Sequence, residues 1–257
     1  MTNPAPTAEL LALAALAHEA GRAIMDIYHS NFTAEAKADA SPVTQADQRA
    51  EEIILKGLAK LYPTLPVIAE ESVAAGHIPK IGSTFFLVDP LDGTREFISR
   101  NGEFTVNIGL IRDGAPVLGV IFAPALEEMF LGAQGLGAFY KRASQAHYAP
   151  IIARAAPDQG PEILASRSHL DAETKAFIDA AKPSNLVNAG SSLKFCRIAQ
   201  GQADLYPRFG RTMEWDTAAG HAILLAAGGS VTKPDGSDFI YGKPGFANGA
   251  FIARGRG

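Results

Sequence analysis

A short apolar run at residues 84–88 ends abruptly in Asp89-Pro90-Leu91-Asp92-Gly93-Thr94. This junction constrains the fold more than any other stretch of the chain. The run is rich in β-formers and reads as a buried strand that delivers two carboxylates at its C-terminal end. Pro90 has no backbone donor and is expected to end strand pairing there. Gly93 permits close approach or a positive φ angle. Thr94 can begin a helix whose free amides face whatever the carboxylates hold. Neighbouring carboxylates repel unless a proton or a cation intervenes. Magnesium commonly works between carboxylates and a substrate phosphate. Taken alone, the same six residues also read as a turn with aspartates as local caps.

Two more apolar or helical segments carry acids at their ends. Val67-Ile68-Ala69 runs into Glu70-Glu71-Ser72, and Glu214-Trp215-Asp216 opens an Ala- and Gly-rich helix ending near residue 227. Asp216 by itself equally suits an N-cap. Three such ends can converge at one edge of a sheet, where open α/β sheets place their sites.

The rest of the pattern is α+β, then α/β. Leu10, Leu13, Ala14, Ala17, Ala20, Ile24, Ile27 and Tyr28 recur at helical spacing, which predicts a helix over 8–28. A second helix is predicted over 45–61, with Thr44 and Asp47 resembling a capping box and Pro63 closing it. Strands are predicted at 65–69 and 104–110, then an antiparallel meander through 117–122, 128–131 and 138–140. Beyond that, strands near 162–165, 186–188 and 203–206 alternate with helices near 172–181, 192–200 and 216–227. A weak boundary near 141–160 separates two halves, 1–150 and 151–257.

Composition excludes several classes. The 257 residues are 47% hydrophobic and 19% charged, which argues against disorder. Net charge is −4 and no basic stretch suggests a nucleic-acid groove, so no nucleic-acid partner is expected. A small anionic substrate stays open, because bound cations reverse the local sign of charge. Cys196 is the single cysteine, so an internal disulfide is impossible and a reducing compartment fits. Cys196 reads as a buried structural thiol. Residues 1–7 lack the basic start of a secretory leader. No apolar run reaches the roughly 20 residues of a membrane span. Asn31-Phe32-Thr33 matches the glycosylation pattern, which is without meaning in the cytoplasm. There is no P-loop, no dinucleotide fingerprint, no nucleophile elbow and no zinc spacing among the six histidines. The acidic motif is one residue longer than the Asp-x-Asp-Gly-Thr of aspartyl-phosphate phosphatases, which moves a nucleophile out of register.

Together, Glu70-Glu71-Ser72, Asp89 to Thr94 and Trp215-Asp216-Thr217-Ala218-Ala219-Gly220 resemble the signature set of the inositol monophosphatase superfamily. Order and spacing match along nearly the whole chain. Asp92-Gly93-Thr94-Arg95-Glu96-Phe97, the segment from Gly190 to Cys196, and the segment from Leu205 to Gly210 look like the 3'(2'),5'-bisphosphate nucleotidases of sulfate assimilation. Arg95 stands where many members carry Lys, and Asn248-Gly249-Ala250-Phe251 replaces a common Asn-Pro-Gly-Phe.

The resemblance implies a layered αβαβα sandwich, with an antiparallel sheet in the N-terminal half and a mixed α/β sheet in the C-terminal half. It implies a phosphatase that converts adenosine 3',5'-bisphosphate to AMP by metal-activated water, using two to three magnesium ions and sensitive to lithium. Glu70, Asp89 and the Leu91 carbonyl would hold one ion, and Asp89, Asp92 and Asp216 another. Asp47 and Thr94 would orient and deprotonate the attacking water, with Glu70 beside them among the catalytic groups. Asp47 alone also reads as a first-turn helix acid.

Amides of Gly93 and Thr94 suit the scissile phosphate, and Gly190, Ser191 and Ser192 suit ribose or phosphate oxygens. Lys194 and Arg208 are candidates for the second phosphate. A neighbouring reading is an inositol monophosphatase or broad sugar-phosphate phosphatase with the same metal site. A more distant one is a non-catalytic, metal-dependent binding protein. The expected setting is cytoplasmic, as monomer or homodimer, and relatives associate peripherally with the inner membrane.

Overall fold

The computed structural model describes residues 5–30, 35–36, 42–43, 45–166 and 170–257. The chain begins with helix α1 (Ala8–Tyr28) and a two-residue ribbon, β1 (Glu35–Ala36) and β2 (Pro42–Val43), and then helix α2 (Gln45–Leu61). Both helices span the residues that their periodicity predicts. Leu10, Leu13, Ala17, Ala20 and Ile24 on α1 are fully buried, as are Ala50, Ile54 and Leu58 on α2. Thr7 caps α1 by accepting the Leu10 amide. The expected Thr44 cap, like Asn31-Phe32-Thr33, lies outside the described residues.

Next come β3 (Val67–Ala69), helix α3 (Glu70–Ala74), β4 (Thr84–Asp92) and helix α4 (Thr94–Ile98). A meander follows: β5 (Thr105–Arg112), β6 (Ala115–Ala123), β7 (Glu128–Ala133), β8 (Gly137–Arg142) and β9 (Ala149–Ile151). These seven strands form one sheet in chain order. Only β3 and β4 are parallel, and every other pair is antiparallel.

The chain continues through β10 (Glu162–Ser166), α5 (Ala172–Ala181), β11 (Asn185–Ala189), α6 (Leu193–Ala199), β12 (Leu205–Arg208), β13 (Thr212–Met213), α7 (Glu214–Ala226), β14 (Ser230–Thr232), β15 (Ala247–Asn248) and β16 (Phe251–Arg254). The second sheet runs β11-β10-β12-β16-β14 and mixes parallel with antiparallel pairs.

Side chains of β4 alternate between two cores, as a strand buried on both faces requires. Phe86 and Val88 join α1 and α2 in one cluster, while Phe85 and Leu87 join α6, α7 and the second sheet in another. The layers are therefore α1 and α2, the first sheet, α6 and α7, the second sheet, and α5, whose Ile178 packs on Ile163 and Leu205.

Pro90 does not end the strand, contrary to the sequence expectation. Asp89 pairs with Asn107, the register then slips, and Asp92 pairs with Thr105. The missing donor is absorbed by a bulge rather than a break, which is how edge-poor sheets accommodate proline.

One feature brings the two halves close. Gly109, Gly119 and Gly132 face one another in register across β5, β6 and β7. A Cβ on Gly119 would lie 2.2 Å from the Ala219 carbonyl oxygen, and one on Gly132 would lie 2.6 Å from Ile223 Cα. Helix α7 thus lies directly on sheet backbone. Gly119→Ala forces helix and sheet apart and is expected to cost about 2–3 kcal/mol, lowering Tm by about 4–10 °C. Gly82→Ala, where a Cβ meets nothing within 4 Å, is the control. Thermal unfolding of both variants checks this; equal Tm values would contradict the account.

Candidate active site and metal centre

The close seat of α7 carries Asp216 to the C-terminal end of β4. There Glu70, Asp89 and Asp216 each place a carboxylate oxygen within 4.8 Å of the others. Glu70 comes from the first turn of α3, Asp89 from β4 and Asp216 from the first turn of α7. Asp89 is only 2% exposed. Burial, then the charges of Glu70, Asp92 and Asp216, raise its carboxyl well above the ordinary range. Burial, then Asp92 and Glu70, raise Asp216 likewise.

Each acid is also tied down locally. Asp89 Oδ1 accepts the Leu91 amide at 3.1 Å. Asp216 is the third residue of α7 rather than its N-cap, and its Oδ2 reaches back to accept the Met213 amide at 2.8 Å. Asp92 stands beside the trio, and its Oδ2 accepts the Ser192 amide and Asn107 Nδ2. Burial raises Asp92 to about 6, against the pull of Lys194.

The donor set fits a hard divalent cation. It offers only oxygen, and it concentrates negative charge in a buried place. The Leu91 carbonyl belongs to the same turn and accepts the Thr94 hydroxyl at 3.4 Å. That hydroxyl also reaches Asp47 Oδ2 at 3.5 Å, and Asp47 is fully buried on α2. Gly93 has φ 91°, the left-handed conformation its turn requires, and α4 begins at Thr94.

A cavity of about 300 Å³ opens beside the acids, lined by Asp92, Thr94, Ser191, Lys194 and Arg208 among others. A larger hollow of about 1260 Å³ between α1 and β8 contains none of the acidic trio. The specificity candidates divide in the structure. Gly190 and Ser191 line the cavity, and Arg208 is held by the Gly210 and Arg211 carbonyls.

Ser192 lines the cavity as well, with its hydroxyl engaged inward: it donates to Asn107 Oδ1 at 2.7 Å and meets Thr105 at 2.8 Å, while its amide donates to Asp92. Lys194 is 4% exposed, and its Nζ donates to the Ala189 and Ser191 carbonyls and lies over the Tyr206 ring. It pins the loop in which Ser191 adopts a φ of 44°. Burial lowers the Lys194 ammonium to about 8.

Sequence reasoning missed the supports. Glu51, one helical turn after Asp47, accepts the Glu71 and Ser72 amides at 2.8 Å each and the Ser72 hydroxyl at 2.6 Å. It thereby fixes the start of α3 that carries Glu70. The i, i+4 spacing of Asp47 and Glu51 was a usable signal, since both then share one helix face. Glu103, which accepts the Gly190 amide at 2.8 Å, had no such signal.

Comparison with known proteins places the chain in a family. The inositol monophosphatase family pattern matches residues 7–255. The 3'(2'),5'-bisphosphate nucleotidase CysQ of Salmonella typhimurium is 46% identical over 228 residues, covering 88% of this chain and 91% of that protein. The Buchnera aphidicola CysQ is 42% identical over 93% of this chain and 90% of its own length. Among solved structures, CysQ from Bacteroides thetaiotaomicron superimposes with a TM-score of 0.79 at 38% identity, over 96% of this chain and 97% of that one. An inositol monophosphatase from Zymomonas mobilis gives a TM-score of 0.79 at 26% identity, over 98% and 95%. On the fold, the acidic motifs and these likenesses, the chain belongs to the inositol monophosphatase family, as a homologue of its CysQ nucleotidases.

Proposed function

We propose that the chain removes the 3'-phosphate of adenosine 3',5'-bisphosphate, giving AMP and phosphate, with magnesium and within sulfate assimilation. The observation that carries this reading is the convergence of Glu70, Asp89 and Asp216 beside a cavity walled by Lys194 and Arg208. The nucleotidases named above, similar over about nine-tenths of their length, support the substrate class.

Glu70, Asp89, the Leu91 carbonyl, Asp92 and Asp216 would hold the magnesium ions. When bound, magnesium supplies Lewis-acid activation and neutralises phosphoryl charge. Thr94 and Asp47 act on the attacking water: the Thr94 oxygen orients it and the buried Asp47 carboxylate takes up its proton. Amides of Gly93 and Thr94 bind the scissile phosphate. Arg208, its guanidinium held in place by the Gly210 and Arg211 carbonyls, supplies positive charge for the second phosphate. Ser191 and Gly190 lie at the sugar, and Lys194 acts by holding their loop and adding its charge to the wall.

The direct test is kcat/KM for adenosine 3',5'-bisphosphate and for inositol 1-phosphate, each with magnesium and with EDTA. The expected result is a magnesium-dependent preference for the bisphosphate of about 100-fold, the size of one or two charge-assisted contacts. Equal rates would favour the broad phosphatase. Turnover that survives EDTA would sink the metal reading.

A linkage prediction follows from the raised carboxyls. Asp92 titrates near 6 in the fold against 3.8 ordinarily, so the folded chain keeps a proton that the unfolded chain has lost. Without metal, that contribution to stability is fully present below pH 3.8 and is lost as pH rises through about 6. Buried His221, lowered to about 3, runs the opposite way: its contribution is lost as pH falls from 6.5. The gain in Tm on adding magnesium isolates the acidic cluster from His221. That gain is expected to be larger near pH 8 than near pH 5, and melts at the two pH values decide it. An equal gain would show that the cation does not replace protons here.

A further inference from the structure

Glu96 is 8% exposed and is the third residue of α4. An acid there suits a helix N-terminus, and a capping box would turn it onto the Gly93 amide. No such bond forms. Among the described residues neither Glu96 carboxylate oxygen accepts a hydrogen bond or closes an ion pair. Its side chain lines the cavity with Gly93, Gly190 and Lys194.

The two glycines leave it room. Oε2 stands 3.3 Å from where a Cβ on Gly93 would lie, and Cγ stands 2.6 Å from where one on Gly190 would lie. A buried carboxylate is acceptor-only when ionised and is costly without donors. Lys194 does not complete it, since its Nζ is spent on the Ala189 and Ser191 carbonyls. The Glu96 oxygens open onto the cavity, from which a donor can reach them.

We propose that Glu96 is a specificity-determining residue that accepts a hydrogen bond from the sugar hydroxyl adjacent to the scissile phosphate. This rests on the nucleotidase reading above. Like charge keeps the phosphate oxygens themselves off Glu96, whereas a hydroxyl is a donor of no net charge. In a nucleoside 3'-phosphate the 2'-hydroxyl sits on the carbon next to the phosphate-bearing one. A phosphate on the Gly93 and Thr94 amides therefore brings that hydroxyl within reach of a carboxylate beside Gly93. The base amine is many bonds further away. The chain is thereby tuned to ribonucleotides over deoxyribonucleotides at a position separate from the metal ligands.

The test compares kcat/KM for adenosine 3',5'-bisphosphate and its 2'-deoxy analogue in wild type, Glu96→Gln and Glu96→Ala. Wild type is expected to prefer the ribonucleotide by about 10- to 100-fold, the worth of a hydrogen bond to a charged group. Glu96→Ala should bring the ratio to within about 3-fold by losing activity on the ribonucleotide alone, with Glu96→Gln between. Loss of folded enzyme lowers both activities together and leaves the ratio intact, and the isosteric Gln variant keeps the test open if Ala does not fold. A ratio unchanged in both variants overturns the proposal while leaving the nucleotidase reading standing. A wild type with no activity on the ribonucleotide overturns both.

Discussion

Helix α7 rests on sheet backbone, and the acidic centre depends on that contact. Three glycines in register across β5, β6 and β7 remove the side chains that would otherwise hold helix and sheet at ordinary spacing. Dispersion and burial at this close contact stabilise an arrangement that electrostatics alone opposes. Asp216, in the first turn of the helix, is thereby pressed against Asp89 and Glu70. Like charges in a buried site disfavour ionisation, and the packing of two large apolar clusters on either side of the first sheet supplies the opposing free energy. The fold stores a concentration of negative charge that a divalent cation would relieve.

Around this centre the polar residues form a scaffold in which each acid is oriented by a neighbour. Glu51 fixes the segment bearing Glu70, Asn107 and Ser192 fix Asp92, and Met213 fixes Asp216. Such supports matter because a ligand set out of place by a fraction of an ångström binds and activates less well. Lys194 likewise holds its own loop in shape, by donating to the Ala189 and Ser191 carbonyls.

Much of this was legible in the sequence where one local rule acted alone. Helices α1 and α2 followed their 3.6-residue period, and β4 announced itself as an apolar run tipped with acids. The Glu70, Asp89 and Asp216 junctions pointed to one site because each read as the boundary of a regular element. What the sequence hid involved two elements at once. Pro90 promised a strand end, yet pairing resumed at Asp92 because β5 continued alongside. The inward bonds of Ser192 and Lys194 were equally hidden, because their acceptors lie on β5 and in their own loop. The glycine row reads as unremarkable until strand register aligns it. Short strands such as β13 and β15 are too brief to carry a period, and their pairing is set by tertiary contact.

The central claim is that three carboxylates from distant parts of the chain form one cation site. Crystals equilibrated with manganese, measured for anomalous scattering, test it most directly. The account predicts an anomalous peak bounded by oxygens of Glu70, Asp89 and Asp216. Well-ordered carboxylates at saturating manganese with no peak among them would contradict it.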